Sequence, residues 1–506
     1  MSRKAFFISL IALLIPLMVA GCFADATADL KQAETYQKAG NYKEAETIYK
    51  KIMTDYPETE YAFQAQKDLA ILYINTNKDS QAQTAFQELV ASFPQHPAMA
   101  EALYYIAKNF NWKNKHDKAH QIHQYNADNF SDDKYALWSQ IEVTGFHIQS
   151  GDDAAAADAS IDKLLTVFAN QHNVAIAVYQ IGTKYQDAGK SYKAIELYRH
   201  VIETWPADKN ALFAQSGLAI SYEASGDKNA AKAAYERLLA ELTQHEVTAE
   251  DIYWIAKRFN WAKHSNRAAG VHRYNVERFP CKEHAIWSLE ELIYCYIRTG
   301  DEAAADAAID KFLAVFSGRP APLRTIYNIA KAYEQAGNHR KADELYQHVL
   351  DNRPADEDIY ARMSASMAYI GLADEANALA VTDGLISDFY DHSDLAGVVF
   401  HIGEQYYEKA FQAENEALEA QAKENFEKAL TVWEKIITDL PVSDPNTTKA
   451  YYFSAVCYRR LGQYPKAIEY YQKIVDDWPD YKYAWEAKFM IDHRAKEVQK
   501  WGSNSN

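Results

Sequence analysis

The chain has 506 residues, 48% hydrophobic and 24% charged, with 13% aromatic and only 18 glycines. Its formal charge of −17 argues against nucleic acid and against a polybasic grip on anionic lipid, and favours neutral or basic partners. So few glycines leave little room for phosphate-cradling loops. No Walker loop, GxGxxG, HExxH or GxSxG pattern occurs, so neither an enzyme nor a cofactor is expected.

In chain order, the first 21 residues form a targeting segment. Arg3 and Lys4 precede an uncharged apolar run from Ala5 to Ala20, too short for a comfortable span and broken by Pro16. Val19-Ala20-Gly21-Cys22 follows. Small residues directly before a cysteine resemble the bacterial lipoprotein signal, which implies cleavage before Cys22 and acylation of Cys22. The lipid anchor is then the expected membrane attachment, and residues 22–28 are expected as a short tether. Without Arg3 and Lys4 the chain carries 51 basic and 70 acidic residues, a balance of −19. Three cysteines remain, Cys281, Cys295 and Cys457. Cys281 and Cys295 are too far apart along a helix for a disulfide, and Cys295 and Cys457 read as small core residues.

From about residue 29 to 480 a period is present. Pro57 and Pro94 are 37 apart, and Pro206, Pro280 and Pro354 are each 74 apart. Each unit carries the same marks: Tyr36, Gly40, Ala45, Tyr49 and Pro57; Tyr185, Gly189, Ala194, Tyr198 and Pro206; Tyr333, Gly337, Ala342, Tyr346 and Pro354; Tyr458, Gly462, Ala467, Tyr471 and Pro479. Two helices with apolar residues at helical spacing account for this. Glycine ends the first helix, alanine lets the two approach, and proline stops the second. The pattern resembles the tetratricopeptide repeat. That resemblance implies an all-α solenoid, a right-handed superhelix of about twelve helix-turn-helix units. Units near 98–131, 137–170, 286–318 and 359–391 are degenerate. The Ala/Glu-rich stretch 411–430 predicts a lengthened helix pair, and 481–499 predicts a capping helix. Residues 502–506 are expected to be disordered.

A larger block is written twice, near 98–250 and 247–391. "IAKNFNW" at 106–112 returns as "IAKRFNW" at 255–261, "YNADNF" from 125 as "YNVERF" from 274, and Trp138 as Trp287. On a helical wheel Ile106, Ala107 and Phe110 fall on the core side, as do Ile255, Ala256 and Phe259. Tyr104, Lys108, Asn111 and Trp112 project elsewhere, and so do Tyr253, Lys257, Asn260 and Trp261. By the resemblance, that side of a first helix lines the peptide-binding groove. An aromatic beside an amide and an amine suits a peptide. Packing against the next helix pair is the other reading of Trp112 and Trp261, and both stand on the sequence. Asn109 and Arg258, where the copies differ, are placed off the stripe. The lysines do not reproduce the family's carboxylate-clamp arrangement.

His116, His120 and His123 have a spacing that would hold a metal. The duplicate carries Ser265 and Ala269 in place of the first two and keeps His123 as His272, so structural histidines are expected and no metal. The early units, residues 40–73, are similar to those of BamD/YfiO-type and YbgF-like envelope proteins. The resemblances together imply a non-enzymatic, lipid-anchored scaffold of the bacterial envelope that binds proteins or peptides. Phe23 rather than aspartate after Cys22 implies the outer membrane. The alternative is a SusD-like glycan-binding lipoprotein, suggested by the tyrosine and tryptophan content.

Overall fold

The computed structural model describes residues 25–150, 154–315, 322–440 and 445–502. Cys22 and the targeting segment lie outside them. The described chain is an all-α helical-repeat solenoid of twenty-five helices, with no strand among the described residues. It divides into two compact units, residues 1–262 and 263–506. The first holds α1 (25–38), α2 (Tyr42–Asp55), α3 (Glu60–Asn75), α4 (Asp79–Ser92), α5 (Met99–Trp112), α6 (His116–Asn129), α7 (Lys134–Ser150), α8 (Ala154–Thr166), α9 (Val174–Asp187), α10 (Ser191–Thr204), α11 (Asn210–Ala224), α12 (Lys228–Glu241) and α13 (Ala249–Trp261). The second holds α14 (Ser265–Arg278), α15 (Glu283–Thr299), α16 (Glu302–Val315), α17 (Leu323–Gln335), α18 (His339–Asp351), α19 (Ile359–Gly371), α20 (Glu375–Asp388), α21 (Leu395–Asn415), α22 (Glu419–Asp439), α23 (Pro445–Arg460), α24 (Tyr464–Asp477) and α25 (Ala484–Gly502). Odd-numbered helices are the first members of pairs and even-numbered helices the second; α25 follows the twelfth pair.

The repeat marks have direct structural causes. Gly189 stands in the left-handed region at φ 73°, and Lys190 N–H donates to Tyr185 O at 2.9 Å. That bond satisfies a carbonyl the helix end would leave open. In the degenerate units near 98–131 and 359–391 Asn114 and Ala373 hold the same conformation, and Asn77, Lys263 and Ala417 hold it in other units. The turn is made there without glycine, which removes one mark from the sequence pattern. Second helices α2, α4, α10, α14 and α24 each end two residues before a proline. The intervening residue is aromatic every time: Tyr56, Phe93, Trp205, Phe279 and Trp478. Its ψ lies at 47–60°, because the proline ring disfavours helical ψ in the residue before it.

The tyrosine of the second helix is the wedge between pairs. Tyr198 is buried with Gly182 of α9 on one side and Gly217 of α11 on the other. Tyr346 sits against Gly371 of α19 in the same way. Each hydroxyl emerges at the third-last residue before the turn of its own first helix. Tyr49 donates to Gln37 at 3.0 Å, Tyr198 to Gln186 at 3.0 Å and Tyr346 to Glu334 at 2.8 Å. A phenylalanine would fill the space but lose that hydrogen bond.

Most expectations for the elements hold. Ala194 and Ala342 are buried, as are Cys295 and Cys457; all three later cysteines are free, with Cys281 exposed. Both α21 and α22 run to 21 residues where α18, α19 and α20 have 13 or 14. Three boundaries differ. Residues 25–28, expected as tether, are already helical, since "ADATADLKQA" contains no helix breaker. The final helix begins at Ala484 rather than 481, after a turn in which Tyr481 N–H donates to Trp478 O at 3.0 Å. Gly502, expected in a disordered tail, is the last residue of α25. Residues 503–506 lie outside the described residues. Among the described residues no helix is long and apolar enough to cross a membrane.

Candidate functional site

The inner face of each unit is fixed by contacts that skip a helix pair. Arg258 of α13 reaches past α11 to Thr183 and Gln186 of α9, at 3.3 and 3.4 Å. In the second unit Lys331 of α17 reaches past α19 to Gln405 of α21 at 2.8 Å, and Lys409 of α21 reaches back to Glu334 of α17 at 2.9 Å. First helices two pairs apart meet only on the inside of a curved stack.

The left-handed turn residue sets a common register. Counting back from Gly189, the inner-face residues are Tyr179, Thr183 and Gln186; from Gly337 they are Tyr327, Lys331 and Glu334. The same count from Asn114 gives Tyr104, Lys108 and Asn111, and from Lys263 it gives Tyr253, Lys257 and Asn260. Trp112 and Trp261 follow one residue later. The predicted stripe residues therefore occupy inner-face positions on α5 and α13, while Ile106, Ala107, Phe110, Ile255, Ala256 and Phe259 are fully buried.

Trp112 is 66% exposed and Trp261 is 65% exposed, so neither indole is a core residue. On α5, Lys108 Nζ stands 5.5 Å from the Tyr104 ring and 5.8 Å from the Trp112 ring, linking the stripe through cation–π contact. Asn111 Oδ1 lies 3.2 Å from His116 Nδ1. On α13, Lys257 Nζ stands 6.0 Å from the Tyr253 ring, and Trp261 lies 6.2 Å from Trp254. Tyr105 and Trp254, both exposed, extend the aromatic surface of each copy. The helical wheel missed them because each follows the first stripe residue by one position, off the stripe, and their identity differs between copies.

Arg258 was placed off the stripe and is the larger omission. Its Nη2 also donates to Tyr198 OH at 3.2 Å, and its Cζ lies 4.9 Å from the Tyr179 ring. Gln186 Oε1 accepts further bonds from Tyr198 OH at 3.0 Å and Ser221 Oγ at 3.3 Å. These partners are all neutral, and burial draws the guanidinium down to about 10. The second unit solves the same problem differently. Lys331 pairs with Glu408, Lys409 pairs with Glu334, and Tyr327 OH donates to Gln405 Oε1 at 2.6 Å. These groups and Tyr346 line a cavity of about 500 Å³. Burial pushes the Tyr327 and Tyr346 hydroxyls upward, so both remain donors.

Sequence profiles of the tetratricopeptide repeat match residues 36–104, 214–241, 323–356 and 414–482. The chain is a tetratricopeptide-repeat protein. Among solved structures it is similar to a tetratricopeptide repeat protein from Parabacteroides merdae, at 16% identity over 53% of this chain and 98% of that one, with a TM-score of 0.29. It is similar also to the C-terminal part of a repeat-containing protein from Cytophaga hutchinsonii, at 17% identity over 51% and 99%, TM-score 0.29. A structure of Naa15/Naa10 bound to HypK-THB aligns over 94% of this chain and 87% of that one, at 13% identity and TM-score 0.38.

The histidines of the tetratricopeptide array are placed by packing. His116 is exposed, His120 stacks on Phe146 at 4.2 Å, and His123 is buried with Nδ1 3.1 Å from Ser139 Oγ. Burial, with His120, Lys184 and Lys108 nearby, pulls His123 down to about 3. Among the described residues no group of three or more His, Cys, Asp or Glu is arranged to hold a metal. The duplicated "YN" has a packing cause. Asn126 donates to Ser139 Oγ at 2.9 Å and Asn275 to Ser288 Oγ at 2.7 Å, both fully buried.

Proposed function

We propose that this tetratricopeptide-repeat protein is a non-enzymatic scaffold, lipid-anchored through Cys22 in a bacterial outer membrane, whose first unit holds an extended peptide segment on its inner face. The observation that carries the binding surface is the exposure of Trp112 and Trp261 at 66% and 65% on inner-face stripes. An indole left in water on a well-packed helix is stabilised by a partner that covers it, and buried tryptophans are frequent binding anchors. Lys108 beside Trp112 supplies charge for acidic or carbonyl groups. The anchor and the envelope location rest on the sequence around Cys22, and an assembly role rests on the similarity of residues 40–73 to BamD/YfiO-type proteins. The glycan-binding alternative drew on tyrosine content, but Tyr49, Tyr198, Tyr346 and Tyr471 of second helices and Tyr406 of α21 are buried and offer no sugar platform.

The test places a photo-crosslinking residue at 112, at 261 and, as control, at Trp485, which is 69% exposed on α25. A discrete partner is expected at 112 and 261 and not at 485. Trp112→Ala and Trp261→Ala should then each weaken capture of that partner about thirtyfold or more, as loss of a buried aromatic anchor does, with unchanged helix content. Unaltered capture by both variants would remove the peptide-face assignment. Cys22→Ala should release the protein from the membrane fraction; a variant still wholly in the pellet would remove the anchor.

A further inference from the structure

We propose that the groove between α8 and α10 on the first unit takes an amphipathic helix of a partner protein, one whose apolar stripe is bordered by basic residues. The groove lies on second helices, so this inference is independent of the peptide reading of the inner face.

Both walls of the groove are built at helical spacing. Asp158, Ile161, Asp162 and Leu165 form one face of α8, and Tyr192, Ile195, Glu196, Arg199 and Glu203 form one face of α10. Together they line a cavity of about 780 Å³. From Tyr192 to Glu203 the wall runs for about 16 Å at 1.5 Å per residue, room for about three turns of a further helix. The apolar floor of Ile161, Leu165 and Ile195 offers a backbone no hydrogen-bond partner. An occupant must therefore satisfy its own N–H and C=O groups, as a helix does.

The duplicated block shows that the fold does not ask for this surface. Its equivalent pair is α16 and α18, where Ala342 and Tyr346 stand for Ala194 and Tyr198. The ion-pair frame is the same. Lys193 meets Asp158 at 3.0 Å and Glu196 at 3.2 Å, and Lys341 meets Asp306 at 2.8 Å and Glu344 at 3.7 Å. The α8 wall is kept on α16 as Asp306, Ile309, Asp310 and Leu313. The α10 wall is not kept: Arg340 replaces Tyr192 and Asp343 replaces Ile195, and Arg340 pairs with Glu344. In the first unit Tyr192 is instead 81% exposed, more than any other large hydrophobic side chain among the described residues. An aromatic ring left in water beside an apolar floor, at positions that the scaffold elsewhere fills with charge, marks a surface that a partner covers.

The rim sets the partner's sign. Four carboxylates, Asp158, Asp162, Glu196 and Glu203, stand with Lys193 and Arg199 along the groove. Lys193 is taken up by Asp158 and Glu196, and Arg199 donates to Tyr222 OH. Asp162 and Glu203 have no ion-pair partner among the described residues. Basic side chains bordering the apolar stripe of an incoming helix complement them.

The test uses the full chain with isoleucine methyl groups labelled for NMR. Three synthetic probes are titrated at constant ionic strength: the basic amphipathic peptide Ac-KALAKALKKALAKA-NH2, its acidic counterpart Ac-EALAEALEEALAEA-NH2, and Ac-KALAKPLKKPLAKA-NH2, in which two prolines break the helix and every lysine and leucine is kept. The Ile161 and Ile195 signals should move with the first probe and not with the other two, while Ile309, the equivalent of Ile161 on α16, stays in place. Tyr192→Arg combined with Ile195→Asp installs the side chains that α18 carries. It should weaken the basic probe about tenfold or more, as loss of an apolar anchor does, with helix content unchanged. If the double variant fails to fold, Tyr192→Arg alone, at an exposed position, should still weaken it severalfold. Asp162→Asn and Glu203→Gln should each weaken it and flatten its salt dependence. Unmoved Ile161 and Ile195 signals, equal movement of Ile309, wild-type affinity in the Tyr192 variants, or equal binding of the acidic probe would overturn the proposal. Equal binding of the proline probe would make the occupant extended and overturn the helix. Self-association of the chain that Tyr192→Arg abolishes would put a second copy in the groove and overturn the partner. Trp112→Ala and Trp261→Ala should bind the basic probe as wild type does; loss in those variants would put the probe on the inner face and overturn the groove, leaving the peptide reading of that face untouched.

Discussion

Gly217→Ala tests the wedge on which successive pairs stack. A Cβ at Gly217 would lie 2.5 Å from Tyr198 Cζ and 2.7 Å from Cε2, and one at Gly182, across the ring, 2.8 Å from Cε1. The ring cannot retreat from α11 without closing on α9. Alanine gains about 1 kcal/mol over glycine in a helix interior, whereas overpacking a filled site costs about 1–3 kcal/mol. The clash therefore wins, and Gly217→Ala should destabilise the first unit by about 1–2 kcal/mol. Gly384, inside α20, is the control. The nearest atom to its added Cβ is Arg362 Nη1 at 3.8 Å, an ordinary contact, so Gly384→Ala should stabilise by up to about 1 kcal/mol. Urea unfolding followed by far-ultraviolet circular dichroism reads both. Adding Tyr198→Leu to Gly217→Ala should make the glycine substitution less costly than it is beside tyrosine. If Gly217→Ala stabilises as Gly384→Ala does, the ring is not held between two helices and the wedge is wrong.

Three further outcomes follow from other features. Ala373 and Ala417 hold φ at 56° and 60°, so Ala373→Gly and Ala417→Gly should each raise the urea midpoint, by about 0.5–1 kcal/mol of stability. Ala194→Leu should destabilise by about 1–3 kcal/mol, because Ala194 is fully buried where α9 and α10 cross; unchanged melting would mean a wrong register. His123 is held neutral in the fold down to about pH 3 against 6.5 in the unfolded chain. The unfolded state therefore takes up the proton first, so this contribution is complete above pH 6.5 and lost on acidification. Denaturation at pH 5 should show about 2 kcal/mol lost through this group, reduced in His123→Gln; equal pH slopes would refute it.

The architecture was legible because its causes are local. A left-handed turn, a close helix crossing and a proline stop each demand particular residues at fixed distances, and Gly189, Ala194 and Pro206 announce one pair without reference to any other. Legibility falls where the same backbone is held by a residue with other uses. Asn114 and Ala373 adopt the turn that glycine adopts elsewhere, and nothing in those letters alone says so. The helical wheel also set Trp112 and Trp261 apart from the core, and both are exposed. It could not separate an indole that packs from one in water, because that depends on whether a neighbouring pair covers it.

Arg258 shows what a single helix cannot reveal. On its own helix it is a charged residue one place from the stripe, and the difference between Asn109 and Arg258 reads as drift between copies. Asn109 turns its amide onto Tyr105 O at 2.8 Å and stays within α5. Arginine is long enough to leave its helix, and the curvature of the first unit brings Thr183 and Gln186, 75 and 72 residues earlier, within its reach. Its meaning depends on what stands there. Beside a glutamate, as at Glu334 in the second unit, a cation finds an ion pair; beside Thr183 and Gln186 it finds neutral oxygens. Two side chains far apart in the chain thus meet in one network that neither helix announces alone.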